Sequence, residues 1–351
     1  MTDGGDTKAI TYRNAGVDID AKYAAVRGAK AAIDSTRTPG VLQGIGSFGS
    51  LFRLADAGKF RDPVLVASTD GVGTKLAVAG MAGRHDTVGQ DIVNHCVNDI
   101  LVMGARPLFF LDYVAMGRMD GAVVKSVIEG LAKACRENGC ALVGGETAEM
   151  PDLYKAGDYD LEGTIVGVVE HDSIVDGSSV KPGDRLLGLR SSGLHTNGYT
   201  LARRILFDRA KLAVDAKPTE LGGTTVADAL LAVHRSYLRP IRLLLEARLV
   251  RALCHVTGGG FADNLPRVLP AGTAVRLVRS SWTPPLLFRF LVEKGRVPVD
   301  DAYRTWNMGI GMIVAVRAAE AARAAELLRE QGEDPVVIGE VIAGDRTVDW
   351  A

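Results

Sequence analysis

Short apolar runs alternate along this chain with longer segments of helical periodicity, and most apolar runs end in glycine and polar residues. Pro63 to Ala67, Pro107 to Ala115, Ala141 to Val143 and Thr164 to Glu170 have the length and apolar content of buried strands. Between them, Asp86 to Met103 carries Val88, Ile92, Val93, Cys96, Val97, Ile100, Leu101 and Met103 around most of a helix. Asp120 caps a helix running to Asn138 and stopped by Gly139, and an earlier helix is predicted over Asp18 to Ser35. The polar segment His171 to Gly183, with Pro182-Gly183, reads as a boundary between domains 1–170 and 171–351. Beyond it, strands are expected at Arg185 to Leu189, Ala252 to Val256, Ala274 to Val278, Gly311 to Val316 and Val336 to Val341. A helix starts near Tyr199, Ala318 to Gln331 is helical, and a long helical region covers Val226 to Val250 with a break near Pro240. The fold class is α/β (α+β): an N-terminal sheet-plus-helices domain followed by a second α/β domain.

A chain of 351 residues, 47% hydrophobic, suffices for two cores. Forty-one basic residues balance forty-two acidic ones without a Lys/Arg cluster, so nucleic acid is not an expected partner. Met1 to Asp6 is polar and acidic, and no apolar run is long enough to span a bilayer, which predicts a cytoplasmic protein without membrane association. Cys96, Cys135, Cys140 and Cys254 make no C-x-x-C spacing and are expected to be reduced, mostly buried thiols.

Chemistry concentrates at the ends of the apolar runs. In Ser68 to Lys75, Asp70 is a hard oxygen donor suited to Mg²⁺, Gly71 and Gly73 let backbone N–H groups approach an anion, and Lys75 supplies a point charge for phosphate. A plain strand-to-helix turn has the same composition. Gly44-Ile45-Gly46-Ser47-Phe48-Gly49 matches G-x-G-x-x-G, yet no apolar strand precedes it, so a glycine-rich flap over a nucleotide or a structural loop fits better than a dinucleotide fingerprint. On the 86–103 helix, Asp91, His95 and Asp99 align, flanked by Asn94 and Asn98; this stripe serves either metal ligation or a buried hydrogen-bond network. Glu146 follows Gly144-Gly145 at another strand end, and His195 lies between glycines in Ser191 to Gly198, where Asn197 could cap the next helix. His255-Val256-Thr257-Gly258-Gly259-Gly260 could present successive N–H groups to a phosphate.

Taken in order, Tyr12 to Asp20, Gly44 to Gly49, Thr69 to Lys75 (TDGVGTK), Val97 to Pro107, Gly144 to Pro151 (GGETAEMP), Ser191 to Tyr199 (SSGLHTNGY), His255 to Arg267 (HVTGGGFADNLPR) and Asn307 to Met312 closely resemble the phosphoribosylformylglycinamidine cyclo-ligase (aminoimidazole ribonucleotide synthetase) family. The motifs span nearly the whole chain; Trp306, where the family commonly has Phe, is a departure. The resemblance implies ATP-dependent closure of formylglycinamidine ribonucleotide to aminoimidazole ribonucleotide, ADP and phosphate, by a two-domain protein that dimerises through its N-terminal sheet. It implies Mg²⁺ at Asp70, Asp99 and Glu146, with Asn98 and Asp91 as weaker ligands, and a phosphate contact from Lys75, counted with His195 and His255 as catalytic. Nucleotide and phosphate binding then fall to Gly44, Gly46, Ser47, Phe48, Gly49, Asp70, Gly71, Gly73, Thr74, Lys75, Asn197, Thr257, Gly258, Gly259 and Gly260. His195 and His255 would stabilise the phosphorylated oxygen or move protons. The competing readings are another enzyme of the same superfamily, such as a thiamine monophosphate kinase, a nicotinamide oxidoreductase resting on Gly44 to Gly49 alone, and a non-catalytic ATP sensor.

Overall fold

A computed structural model describes residues 11–13, 15–46 and 48–351. Ser47 of the flap and Asn14 lie outside the described residues. The strands are β1 (Val41–Gln43), β2 (Leu51–Phe52), β3 (Pro63–Gly71), β4 (Arg106–Met116), β5 (Ala141–Glu149), β6 (Tyr159–Glu170), β7 (Arg185–Arg190), β8 (Val250–His255), β9 (Thr273–Leu277), β10 (Ile310–Val316), β11 (Val336–Ala343) and β12 (Val348–Trp350). They form a β1–β2 hairpin, a four-stranded sheet β3-β6-β4-β5 and a six-stranded sheet β12-β9-β11-β7-β10-β8. Pairing is antiparallel except for β4 with β5 and β12 with β9. Both sheets carry helices, which gives the mixed α+β character expected. All four cysteines are free and buried.

Alternation sets the register of β3. Val64 and Val66 turn toward the core while Leu65, on the other face, is 60% exposed. The strand continues further than its apolar run, so Asp70 is held in the ladder opposite Gly163 instead of in a turn. Over the inner face lies the Asp86–Leu101 helix, buried on almost every side. Two glycines let it reach the Gly121–Asn138 helix: a Cβ on Gly89 would stand 2.2 Å from the Val127 carbonyl oxygen, and one on Gly130 would stand 2.4 Å from that of Asp86. Gly163 opens the same space below, where a Cβ would stand 2.2 Å from the Phe110 ring and 2.9 Å from Ile92.

Two further expectations change. The 18–35 segment divides into Ile19–Gly28 and Lys30–Asp34, with Asp18 accepting a hydrogen bond from the Ala21 N–H. The 226–250 region is two helices, Val226–Leu231 and Leu238–Glu246, broken at 232–237 and not near Pro240, which sits in the first turn of the second helix where its missing N–H costs nothing. The cause of the break is tertiary. Asp91 accepts from the His234 N–H at 2.7 Å, Asn94 donates to the His234 carbonyl at 2.7 Å, and Asn98 donates to the Arg235 carbonyl at 2.9 Å while accepting from the Tyr237 N–H at 2.9 Å. The helices Lys75–Ala82, Leu286–Gly295 and Val299–Thr305 were not predicted.

Candidate active site

Four histidines and two carboxylates meet where the N-terminal sheet and its helix face the second sheet. β3 supplies Asp70, the 86–101 helix supplies His95 and Asp99, the loop after β7 supplies His195 and Thr196, the 232–237 link supplies His234, and β8 ends on His255. His95 Nε2 lies 2.9 Å from Asp70 and 3.5 Å from Asp99; its Nδ1 lies 2.7 Å from the Thr196 hydroxyl. His255 Nδ1 lies 2.8 Å from Asp99, and its Nε2 lies 3.1 Å from His234 Nε2. The His195 ring stacks on that of His234, centroids 3.9 Å apart.

The charges divide unevenly. Burial works against a cationic His95, but the hydrogen bond to Asp70 and the charges of Asp99 and Asp70 outweigh it and raise its pKa. Burial would likewise raise Asp70 and Asp99, yet His95 holds the first down, and His255 and His95 hold the second down. His195 and His234 fall well below the ordinary imidazole value through burial and the neighbouring basic groups. His255 is lowered by burial despite Asp99. One imidazole therefore sits against two anions, with three neutral rings behind it.

His195 has φ of 62° and accepts a hydrogen bond at Nε2 from the Ser192 N–H at 3.3 Å. That bond places the ring's own proton on Nδ1, which is buried and has no hydrogen-bond partner among the described residues. Asn197 Nδ2 is likewise buried without one, and its helix is capped by Gly198 with no side-chain hydrogen bond, so Asn197 is not the cap. Its Oδ1 faces Gly258, where a Cβ would stand 3.1 Å away. Thr257 and Asn264 hold the following turn, Asn264 Nδ2 donating to the Gly260 carbonyl at 2.6 Å. Trp306 is buried and its Nε1 donates to the Gly198 carbonyl at 3.2 Å, so the aromatic exchange supports the same loop.

Not every expected residue joins this cluster. Lys75 is fully buried, 2.8 Å from Asp91, and donates to the carbonyls of Ala232 and His195. Burial pushes the Lys75 ammonium down and the Asp91 carboxyl up, and each partner holds the other part of the way back. Both side chains are thus committed to each other and to backbone groups, and Asn98 is spent on the 235–237 backbone. Thr74 contacts the Thr200 hydroxyl at 3.0 Å, bridging the halves. Gly73, at φ of 68°, makes the turn into the Lys75–Ala82 helix.

Glu146 also stands apart. Asp70 pairs with Gly163, Gly163 with Asp112, and Asp112 with Gly145, so three strand spacings of about 4.8 Å, roughly 14 Å in all, separate the two acidic strand ends. Glu146 instead accepts from Lys22 and lines a cavity of about 340 Å³ with Gly46, Phe48, Gly49, Asp112, Gly144 and Gly145. Gly44, Ile45, Gly46, Phe48 and Gly49 lie between β1 and β2 in the chain, and Phe48 is exposed. A wider groove of about 590 Å³ alongside is edged by Lys22, Arg27 and Lys30. Those basic residues, and His234 and Asp112, carried no sequence signal beyond residue type: each lies on an element whose neighbours only the fold selects. His95 was visible only as part of the polar stripe.

Two family models match: AIR synthase related protein, N-terminal domain, over residues 55–169, and AIR synthase related protein, C-terminal domain, over residues 181–350. Phosphoribosylformylglycinamidine cyclo-ligase of Trichlorobacter lovleyi is 50% identical over 331 residues, 94% of this chain and 94% of the relative. The protein of that name from Chromobacterium violaceum is 50% identical over 336 residues, 96% of each chain. Among solved structures, thiamine-monophosphate kinase from Stenotrophomonas maltophilia shares the fold at a TM-score of 0.66 and 18% identity, covering 92% of this chain and 94% of that one. Hydrogenase maturation protein HypE in complex with ATP shares it at 0.61 and 22%, covering 89% and 84%.

Proposed function

Because this chain belongs to the phosphoribosylformylglycinamidine cyclo-ligase family, whose members match it at about half identity from end to end, we propose that the histidine-carboxylate seam is where it closes the imidazole ring of purine biosynthesis. The enzyme converts formylglycinamidine ribonucleotide to aminoimidazole ribonucleotide at the expense of ATP. The single observation that carries the site is the meeting of Asp70, His95 and Asp99 with His195 and His255 across the two halves.

The formamide oxygen is a poor leaving group. Transfer of the γ-phosphoryl group to it releases ADP; the amidine nitrogen then attacks the activated carbon, the carbon–oxygen bond breaks with its electrons leaving on phosphate, and the nitrogen loses a proton. His255, kept neutral by burial and with Nδ1 oriented by Asp99, is the proposed acceptor of that proton at Nε2, in place of its 3.1 Å contact with His234. The unpartnered Nδ1–H of His195 is the proposed donor to the phosphorylated oxygen. Asn197 Nδ2, Thr257 and the Gly258–Gly260 backbone are proposed to hold the ribonucleotide phosphate. Asp70 and Asp99 offer the carboxylate oxygens that would hold Mg²⁺, which when bound neutralises the triphosphate.

The nucleoside end of ATP is assigned to the cavity beside Gly46, Phe48 and Gly49, and its triphosphate is proposed to run from there toward Asp70 and Asp99. Support comes from the fold shared with a HypE structure described in complex with ATP. A homodimer through the face bearing Leu65 and a cytoplasmic location complete the proposal. No helix among the described residues is long and apolar enough to cross a membrane. The test is one reaction with Mg-ATP and formylglycinamidine ribonucleotide, following ADP and aminoimidazole ribonucleotide together. Equal yields are expected; ADP without the imidazole moves the substrate elsewhere in the superfamily, and neither product from folded, ATP-binding protein overturns the enzyme reading.

A further inference from the structure

The Lys75 ammonium is fully buried 2.8 Å from an equally buried Asp91, and stability alone does not account for the pair. Apolar side chains of similar volume often serve a core as well or better, because each buried ion gives up its hydration. What apolar groups lack is directed contact. Three oxygens surround the ammonium, as many as it has N–H donors: Asp91 Oδ2 at 2.8 Å, the Ala232 carbonyl at 2.8 Å and the His195 carbonyl at 3.2 Å.

These contacts run from one half of the molecule to the other. Lys75 opens the Lys75–Ala82 helix and Asp91 lies on the 86–101 helix, whereas Ala232 begins the 232–237 link and His195 belongs to the loop after β7. Asp91 also accepts from the His234 N–H at 2.7 Å, so the ion pair grips the link at Ala232 and His234 and the loop at His195. The two rings so held are stacked, 3.9 Å apart and 14° from parallel. His195 has φ of 62°, a conformation that a residue other than glycine keeps only where its surroundings hold it. Lys75 holds its carbonyl, and the Ser192 N–H holds its ring at Nε2. Backbone and ring are thereby fixed from two sides.

We infer that Lys75 is a positioning residue: with Asp91 it fixes the His195 peptide and the His234 ring stacked on it, and so aims the His195 Nδ1–H, in place of contacting a phosphate itself. The inference rests on the proposal that His195 donates to the phosphorylated oxygen, and it says what directs that donor.

The test is the full chain carrying Lys75→Met with Asp91→Asn, which removes both charges while Asn keeps an acceptor for the His234 N–H. Its urea midpoint should stay near that of wild type. Its kcat for imidazole formation should fall about 100-fold, the cost of a group misplaced by roughly 1 Å, and its KM for ATP should change less than twofold. Turnover recovered together with stability overturns the inference, as does a tenfold rise in KM for ATP. Histidine ¹⁵N spectra of the nucleotide-free protein read the ring directly: His195 should be a single Nδ1–H tautomer in wild type and a mixture in the double variant, and an unchanged tautomer overturns the assignment. Should that variant not fold, the wild type still decides. Its lysine ¹⁵N spectra should hold a slowly exchanging ammonium signal that shows no ³¹P coupling with Mg-ATP present; the lack of that signal, or coupling to phosphorus, overturns the inference. The family activity is scored separately. Imidazole formed equally by wild type and folded double variant defeats only this inference, whereas tautomer loss in a protein whose wild type forms no imidazole upholds the positioning and defeats the catalytic reading.

Discussion

At the scale of single residues, charge state and burial decide what each group can do. His255→Ala should fold normally by circular dichroism and lower kcat by roughly 10²–10⁴-fold, the range for a positioned proton acceptor, with imidazole formation as the readout. Turnover at the wild-type rate would remove it from the chemistry. Asp112, at the back of the flap cavity, makes a different prediction, because desolvation first and the Glu146 charge after it push its carboxyl up to about 7. A carboxyl raised in the folded state keeps its proton there while the unfolded chain releases it. Its contribution to stability is thus complete below the unfolded value of about 4 and is lost as the pH rises toward 7. Asp112→Asn should accordingly have a higher Tm than wild type at pH 8, and the difference should vanish near pH 4; equal Tm values at pH 8 would show that the group is not desolvated.

At the scale of elements, the 86–101 helix joins the two halves. Its Asp91 and the neighbouring Lys75 are both completely buried. Lys75→Met leaves a carboxylate without its partner and should cost about 3–5 kcal/mol in urea unfolding, and Asp91→Asn added to it should recover much of that loss. Gly89→Val, which drives a side chain into the Val127 carbonyl, should prevent the helix pair from closing, seen as loss of soluble folded protein. Much of this helix was legible: its periodicity, its cap-to-cap span, and the Asp91–His95–Asp99 stripe all follow from residue spacing. The division of labour along that stripe was not. Of the two readings open for the stripe, metal ligation or a buried hydrogen-bond network, Asp91 and Asn98 follow the second: they bind the 232–237 backbone, and the same bonds explain why an unbroken helical pattern from Val226 to Val250 opens in the middle. The family resemblance groups Glu146 with Asp70, and only the strand order shows their strand ends to be roughly 14 Å apart.

At the scale of the whole molecule, the outward face of the four-stranded sheet leaves Leu65 exposed, consistent with the dimer proposed above. Leu65→Glu should convert a dimer to a monomer in sedimentation while sparing the monomer's helical content; unchanged sedimentation would move the interface to another face. The order β3-β6-β4-β5 has a further consequence, which concerns synthesis. β6, residues 159–170, is the last strand of that sheet to be made, yet it lies between β3 and β4. While the ribosome is still producing the chain before Tyr159, β3 has no neighbour to pair with and Asp70 has no fixed position. A nascent chain stalled short of β6 should therefore stay open to protease, and one stalled after residue 170 has cleared the exit tunnel should become resistant in a single step.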